Sequence, residues 1–564
     1  MEANYPDHWQ VLPAAPREYL NTAHLHPLIA QLLYNRGVNI GEIELFLAAD
    51  RRLTGNPFLL DDMSQAVNRI YKAILNREKI AIYGDFDVDG ITSTASLAEG
   101  LSWLGSKVTL YLPDRLKEGH GLRLQAIEEL HNQGISLIIT VDCGITSLKE
   151  AKRAREIGID MIITDHHMPL EILPPAIAVI DPKRKGSRYP FLDLAGVGVA
   201  FKLLQALFHK DSRKKSLTGL LDLVALGTVA DVVPLIGENR YLVKEGLKVL
   251  NNTPRVGLQE MVRLTRLEMG KLDAESISWV LGPRLNTASR MGHASTSYSL
   301  ITTDSLEEAQ QLAAKLEEKN AERQRLTTET LNKAKEKLAT KTNLPLLIED
   351  DENYPAGVIG LVAGKLVHEF CKPAIIITLG PELCRGSARS IPEFNLAAAL
   401  EQCQDLLTSF GGHPAAAGFV AARQNIDKLK EKLMSLATSQ LSSLDLRPKL
   451  RIDAEVSLSD LAGDTFSLLQ KLEPFGQTNP PPTFLTRQSK VLEHRYFGNQ
   501  SKYLELKLKQ GDAGDATWRA VSFDPQKAEA EIPSYVDIVY EIKSSFWNGK
   551  DVLKLKLLDF TSSP

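Results

Sequence analysis

Cysteine is scarce in this 564-residue chain: Cys143, Cys371, Cys384 and Cys403 are the only four, and no two form a CxxC pair. So few thiols exclude a disulfide framework and point to a reducing compartment. No run of about 18 uninterrupted apolar residues is found, and the start, Met1-Glu2-Ala3-Asn4-Tyr5, has no basic stretch leading into an apolar one. Secretion and membrane spanning are therefore not expected, and the cytoplasm is. An excess of positive charge is also missing. The formal net charge is −4, so any nucleic-acid binding must rest on a local basic groove. What is present is 43% hydrophobic and 24% charged residues, a composition too apolar for a disordered chain and ordinary for a folded one. The length implies several domains.

From Lys79 onward short apolar runs alternate with stretches of helical period: Ile80–Tyr83, Ile91–Leu104, Val108–Leu112, Leu122–Gln133, Ser136–Val141, Ser147–Ile157 and Ile159–Thr164. That alternation predicts a parallel sheet covered by helices. Gly105, Gly134 and Gly158 each directly precede a strand, where a helix needs a left-handed cap. The stretch before it, with His26-Pro27-Leu28 and Leu32-Leu33-Tyr34, reads as a helical cover for this domain. Ser305 to about Thr342 contains neither glycine nor proline, with Ser305 and Glu308 spaced as a capping box. One long helix is predicted, spanning on the order of 50 Å and able to tie two lobes together. A coiled-coil dimerisation helix is the alternative, weakened where the apolar seam loses rhythm around Asn320 to Gln324.

A second α/β pattern follows, with strands near Leu344–Ile348 and Ala374–Thr378 and helices over Val358–Phe370 and Leu396–Leu407. From Leu450 the chain turns β-rich, with runs at Tyr503–Leu508, Thr517–Phe523, Val536–Ile542 and Val552–Leu558 and an Asn548-Gly549 turn, which predicts a small barrel. Tyr496, Phe497, Tyr503, Trp518, Tyr540, Phe546 and Trp547 could stack on bases, although strand aromatics more often fill a core.

The chemistry gathers at strand ends. Ile80–Tyr83 runs into Gly84-Asp85-Phe86-Asp87-Val88-Asp89-Gly90, Ile138–Val141 into Asp142-Cys143-Gly144, and Ile162–Thr164 into Asp165-His166-His167. Parallel strands deliver such residues to one rim, the edge at which ligands bind in open α/β sheets. Five carboxylates and two imidazoles there would repel unless cations neutralise them, and oxygen-rich sites with an imidazole suit manganese or magnesium. Any one of these motifs alone would read as a solvated turn. All three in order are much harder to dismiss.

Together they resemble the DHH phosphoesterase superfamily, and its RecJ branch most of all. Gly282-Pro283-Arg284-Leu285-Asn286, Gly357-Val358-Ile359-Gly360, Arg385-Gly386-Ser387-Ala388-Arg389-Ser390, Gly411-Gly412-His413-Pro414-Ala415-Ala416-Ala417-Gly418 and Leu472-Glu473-Pro474-Phe475-Gly476 are similar to later RecJ motifs. Phe86 departs from the tyrosine common there and leaves the carboxylates untouched.

The resemblance implies an α/β DHH phosphoesterase domain with a parallel sheet (75–235) behind a mainly helical cover (1–74). A helical region with the long connecting helix (236–342), a smaller α/β DHH-associated domain (343–445) and an OB-like β-barrel (446–564) would follow. It implies two ions, Mn2+ or Mg2+, one held by Asp85, Asp87 and Asp142 and the other by Asp89, Asp142, His166 and Asp231. Asp231, in Gly227-Thr228-Val229-Ala230-Asp231, would by itself read as a turn residue. Asp165 would orient the histidines and His167 face the scissile phosphate. Arg284, Asn286, Arg385, Ser387, Arg389, Ser390, the amides of Gly411 and Gly412, and His413 would bind substrate, with the second lobe anchoring a terminal phosphate.

The implied activity is 5′-to-3′ hydrolysis of single-stranded DNA to mononucleotides in repair and recombination. Single-stranded-DNA-binding protein and a RecQ-type helicase are the implied partners. Two metals make a covalent nucleophile unnecessary, so Cys143 reads as a small strand-end residue. The alternatives are a DHH phosphodiesterase acting on short oligonucleotides or cyclic dinucleotides, and a non-enzymatic RecJ-like replication scaffold. The C-terminal barrel argues against the first, and the full set of acids and histidines against the second.

Overall fold

The computed structural model describes residues 6, 8–461, 464–498, 502–510, 517–524, 527, 530–547 and 550–563. The chain divides into two compact units, one of Asn56–Asp231 with Glu245–Pro448, the other of Met1–Gly55, Val232–Lys244 and Lys449–Pro564.

In the first of these units, five parallel strands lie in the order Val108–Tyr111, Ile80–Gly84, Leu137–Val141, Asp160–Thr164, Ala178–Ile180. Ile80–Gly84 and Leu137–Val141 are buried along their whole length, as continuous apolar runs covered on both faces must be. The strand order reverses direction between these two, which makes their carboxyl ends the switch point where a crevice opens. The helix Val88–Trp103 leaves from that point. It is buried on nearly every side because Gly196–Leu207 and Leu221–Ala230, themselves apolar all round, lie against it. Met63–Leu75 buries Met63, Ala66, Val67, Ile70 and Ala73, a single helical stripe.

The long helix runs from Leu306 to Leu338. Ser305 accepts from the Glu308 amide at 3.3 Å, but the Glu308 carboxylate takes the Thr303 hydroxyl, so only half of the expected capping box forms. One end of the helix lies along Val256–Thr265 and Gly282–Met291, and the other along Ile359–Phe370 and Leu347–Asp351. Its seam is thus consumed within the chain. Where the apolar rhythm fails, buried Asn320 meets Thr287 and accepts from Arg323, so hydrogen bonds replace apolar contacts. The second lobe is a five-stranded sheet in the order Ser409–His413, Ala416–Ala422, Leu383–Arg389, Ala374–Thr378, Leu347–Asp351, of which only the last pair is parallel.

In the other unit, Thr483–Phe497, Tyr503–Gln510, Trp518–Ser522, Lys550–Ser562 and Tyr535–Trp547 pair in that order and close when the last meets the first, a five-stranded barrel. Tyr19, Leu28, Ile29, Leu32 and Leu33 share one core with Phe484, Leu504, Leu506 and Tyr540. The helices Arg17–Thr22 and Pro27–Asn35, expected to cover the parallel sheet, therefore complete the barrel's core, whereas Met63–Leu75 packs in the sheet's own unit. Leu472-Glu473-Pro474-Phe475-Gly476 is tied to buried Arg240, whose guanidinium donates to the carbonyls of Lys471, Leu472 and Pro474.

Of the aromatics singled out for stacking, Tyr540 is buried with its hydroxyl on Thr486, and Trp518 packs against the core. Phe497 and Tyr503 meet exposed Phe523 at one rim, with ring centroids 5.4–6.2 Å apart, and Tyr496 is exposed. The Phe546 and Trp547 side chains and the Asn548-Gly549 turn lie outside the described residues.

Candidate metal centre and phosphate pocket

Each strand end is shaped to turn its acids inward. Asp87 caps the helix Val88–Trp103, its Oδ1 accepting from the amides of Asp89 and Gly90. Gly90 is required because a Cβ there would lie 2.5 Å from the Asp85 carbonyl oxygen. Asp142 adopts a left-handed φ of 61°, strain that an L-residue bears only where its surroundings fix it. The amides of Gly196 and Val197, at the start of Gly196–Leu207, donate to Asp89 at 2.6 and 2.8 Å. Asp231 is the C-cap of Leu221–Ala230.

Three overlapping groups place one donor atom per residue within 4.8 Å of each other: Asp85, Asp87 and Asp142; Asp89, His166 and Asp231; and Asp142, His166 and His167. His166 Nε2 is 3.1 Å from Asp142 Oδ1 and 3.6 Å from Asp231 Oδ2. Asp85 Oδ1, Asp142 Oδ1 and His166 Nε2 are buried without a hydrogen-bond partner. Burial and mutual repulsion hold Asp87, Asp142 and Asp231 above the ordinary carboxylate range and push Asp89 up to about 7. Burial and the neighbouring His167 push His166 down to about 3, which keeps its imidazole neutral. Buried oxygens that repel one another, lack donors and surround a neutral imidazole are a donor set that divalent cations satisfy.

Asp165 stands behind this set. It accepts from the amides of Ile145, His166 and His167 and from His167 Nδ1 at 2.7 Å. Burial would raise its pKa, but His167 and these donors hold it well below the usual range.

The second lobe brings other expected residues near. Alternation along Leu383–Arg389 sends Cys384, Gly386 and Ala388 inward and leaves Arg385, Ser387 and Arg389 on the opposite face. A Cβ on Gly360 would come within 2.9 Å of Ser387 Oγ and 3.2 Å of the Arg389 guanidinium, so the Gly357-Val358-Ile359-Gly360 turn backs directly on both. Gly411, Gly412 and His413 lie on the exposed edge strand, where alternate amides are free of the ladder. Burial, Arg389 and His167 together lower His413.

Three expected contacts are engaged elsewhere. Arg284 forks onto Glu317 of the long helix at 2.6 and 3.2 Å, leaving no free fork for a phosphate. Asn286 Oδ1 accepts from the Val88 amide, and Ser390 Oγ donates to the Phe394 carbonyl.

Sequence reasoning missed Arg115, His120 and Arg290. Arg115 lies over the Phe86 ring at 4.6 Å, and His120 Nδ1 lies 3.2 Å from Asp85 Oδ2. The signal was available: both follow Val108–Tyr111, a further strand ending on the same rim. Arg290 ends the helix Gly282–Met291, and a Cβ on Gly357 would come within 2.4 Å of its carbonyl oxygen. Burial lowers Arg115 against the pull of Asp87 and Asp85, burial and the charges of Arg115 and Arg389 lower Arg290, and burial and Arg115 lower Arg389; none of the three has an ion pair among the described residues. Asp181, at the end of Ala178–Ile180, was missed as well. It is fully buried, and burial together with Asp165 pushes it up to about 7.

Comparison with known proteins matches residues 79–228 to the DHH family, N-terminal domain, 343–439 to the DHHA1 domain and 452–559 to the RecJ OB domain. The single-stranded-DNA-specific exonuclease RecJ of Bacillus subtilis (strain 168) is 37% identical over 95% of this chain and 68% of its own length. That of Escherichia coli (strain K12) is 33% identical over 85% and 86%. The crystal structure of RecJ in complex with Mn2+ from Thermus thermophilus superposes with a TM-score of 0.83 at 29% identity, covering 99% of this chain and 80% of that one. With carboxylates and His166 arranged to hold metal ions and relatives matched along nearly its whole length, the chain belongs to the RecJ family of DHH phosphoesterases.

Proposed function

We propose that this protein degrades single-stranded DNA from the 5′ end, releasing mononucleotides. In this reading Arg389, Ser387, Arg115 and Arg290 seat the terminal phosphate, and the next phosphodiester lies over the carboxylate rim. One observation carries it: Arg115, Arg290 and Arg389 are all lowered by burial, the charge of Arg115 lowers the other two further, and none of the three forms an ion pair among the described residues. Like charges kept apart from solvent are costly unless an anion joins them, and a terminal phosphate is the partner guanidinium forks grip best.

Asp85, Asp87 and Asp142 would hold one divalent cation, and Asp89, Asp142, His166 and Asp231 the second. When bound, the pair supplies Lewis-acid stabilisation of an in-line displacement at phosphorus. The protein's own part is positional. Asp165 fixes the His167 ring through Nδ1 and so turns Nε2 towards the substrate. Gly196 and Val197 hold Asp89. Gly411, Gly412 and His413 line the phosphate's far side, and Arg385, on the same strand face as Arg389, meets a phosphate further along. The aromatic rim of the barrel, half-buried Phe497 and Tyr503 with exposed Phe523, would stack on bases of single-stranded DNA.

Polarity, a role in repair and recombination, and cooperation with a single-stranded-DNA-binding protein and a RecQ-type helicase rest on the family. A cytoplasmic location agrees with a DNA substrate, and no helix among the described residues is long and apolar enough to cross a membrane. The test uses end-labelled single strands carrying 5′-phosphate or 5′-hydroxyl, and blunt duplex, each with Mn2+, Mg2+ or EDTA. Mononucleotide release from the 5′-phosphate strand with either metal, its loss in EDTA and slow attack on duplex are expected. Equal rates on blunt duplex, or hydrolysis in EDTA, contradict the reading.

A further inference from the structure

The loop after Val108–Tyr111 is built to present one imidazole. His120 stands between Gly119 and Gly121, both in the left-handed region at φ 75° and 85°, where any other residue would be strained. Glu118 anchors the loop by accepting from Tyr111 Oη at 2.7 Å and the Asp114 amide at 2.6 Å, and Tyr83 Oη donates to the Gly121 carbonyl. Tyr83 and Tyr111 stack at 4.7 Å beneath it. Held this way, the ring meets His167 edge-on at 5.2 Å and Phe86 at 6.4 Å, with Nδ1 3.2 Å from Asp85 Oδ2. The other oxygen, Asp85 Oδ1, is buried and has no partner. His120 belongs to none of the three groups whose donor atoms converge, so it stands behind a ligand and is not one itself.

We infer that His120 is a positioning residue for the metal centre: its Nδ1–H donates to Asp85 Oδ2 and so dedicates Asp85 Oδ1 to the cation shared with Asp87 and Asp142. The inference rests on the metal-binding reading above and adds an asymmetry to it. Only one of the two cation sites is supported by His120, because Asp89, His166 and Asp231 do not touch it. Residues that orient a metal ligand through its free atom commonly contribute 10- to 100-fold in metal affinity.

The experiment titrates Mn2+ into the full chain without DNA, read by calorimetry and by the EPR signal of free Mn2+, for wild type, His120→Ala, His120→Asn and His120→Gln. The asparagine amide nitrogen takes the place of Nδ1, whereas that of glutamine reaches one bond further. Wild type should bind two equivalents. His120→Ala should weaken one of them about 10- to 100-fold and leave the other unchanged, and His120→Asn, but not His120→Gln, should restore it. Thermal melts in EDTA should coincide for all four proteins. Two wild-type equivalents in His120→Ala overturn the inference and leave the metal reading standing. Equal weakening of both sites without rescue by asparagine overturns it in favour of a general structural role. Absence of Mn2+ binding by wild type overturns both.

Discussion

Gly196→Ala tests how tightly the carboxylate rim is assembled. An alanine Cβ at this position would lie 2.5 Å from Asp142 Oδ1 and 2.6 Å from Asp142 Cβ, whereas unstrained contacts sit near 3.5 Å, so one group must retreat by about 1 Å. Gly196 starts a helix braced against Val88–Trp103, which leaves the Asp142 side chain as the part able to move. The Gly196 amide also holds Asp89 at 2.6 Å, so both proposed cation sets are disturbed. Misplacement by about 1 Å costs on the order of 100-fold in turnover. Stability responds differently: alanine is favoured over glycine in a helix by about 1 kcal/mol, while overpacking costs roughly 1–3 kcal/mol, a small net loss. Turnover on labelled single-stranded DNA at saturating Mn2+ should therefore fall about 100-fold, with a weaker Mn2+ isotherm and a nearly unchanged melt. A folded variant turning over within about threefold of wild type would refute the argument that Asp142 is fixed by this contact.

Three further outcomes follow from the same geometry. Asp142→Ala should abolish hydrolysis and remove at least one Mn2+ equivalent while the metal-free protein melts no lower than wild type, because a repelling buried charge is gone; retained turnover would refute its shared role. Arg389→Ala and Arg290→Ala should each raise KM more than they lower kcat, lose roughly 10- to 150-fold in kcat/KM for a contact of about 1.5–3 kcal/mol, and erase the preference for 5′-phosphate; a fall in kcat alone would move these arginines to the scissile phosphate. Asp181, protonated in the fold up to about pH 7, binds a proton that the unfolded chain releases near pH 4. The Asp181 contribution to stability is thus most favourable at or below about pH 4 and falls by on the order of 1–4 kcal/mol as pH rises to about 7; denaturant melts at saturating Mn2+ should find Asp181→Asn more stable than wild type at pH 8 and no more stable at pH 4.

The clustering of the candidate metal ligands was legible because all but Asp231, which caps the helix Leu221–Ala230, follow an apolar strand within a few residues, and parallel strands all end on one rim. The proposed phosphate pocket was only partly so. The even spacing of Arg385, Ser387 and Arg389 marks a strand face, but the choice among arginines depends on what each touches. Arg284 is spent on Glu317, 33 residues away, whereas Arg290 keeps no partner, and nothing local distinguishes the two. Leu347–Asp351 ends later than its apolar run suggests because Lys337 and Lys341 lie 3.6 and 3.4 Å from Glu349 and let an acid enter the strand. The N-terminal helices have the stripe of a cover, and a stripe states that a face is buried without stating against what.

The acidic rim and the arginines do not collapse onto each other, and that has a physical consequence. Asp87 acts electrostatically on both Arg115 and Arg290, yet among the described residues no ion pair joins the carboxylates Asp85, Asp87, Asp89 and Asp142 to those arginines. Had they paired, each cluster would have been neutralised at the expense of the groups that receive cations and phosphate. Held apart, the carboxylates remain destabilised by mutual repulsion, and Arg290 and Arg389 by burial and the charge of Arg115. Carboxylates lifted above their ordinary range bind cations more readily than they bear their own charge, and the guanidiniums of Arg290 and Arg389, lowered by burial and by Arg115, favour an anion for the same reason. A DNA 5′ end carrying a terminal phosphate and an adjacent phosphodiester can relieve both clusters at once only if it bridges them, one phosphate on the arginines and the next over the cations. In the proposed reading the separation of the clusters would set how far from the end the bond is cut, and both walls do belong to one compact unit that includes the helix Leu306–Leu338.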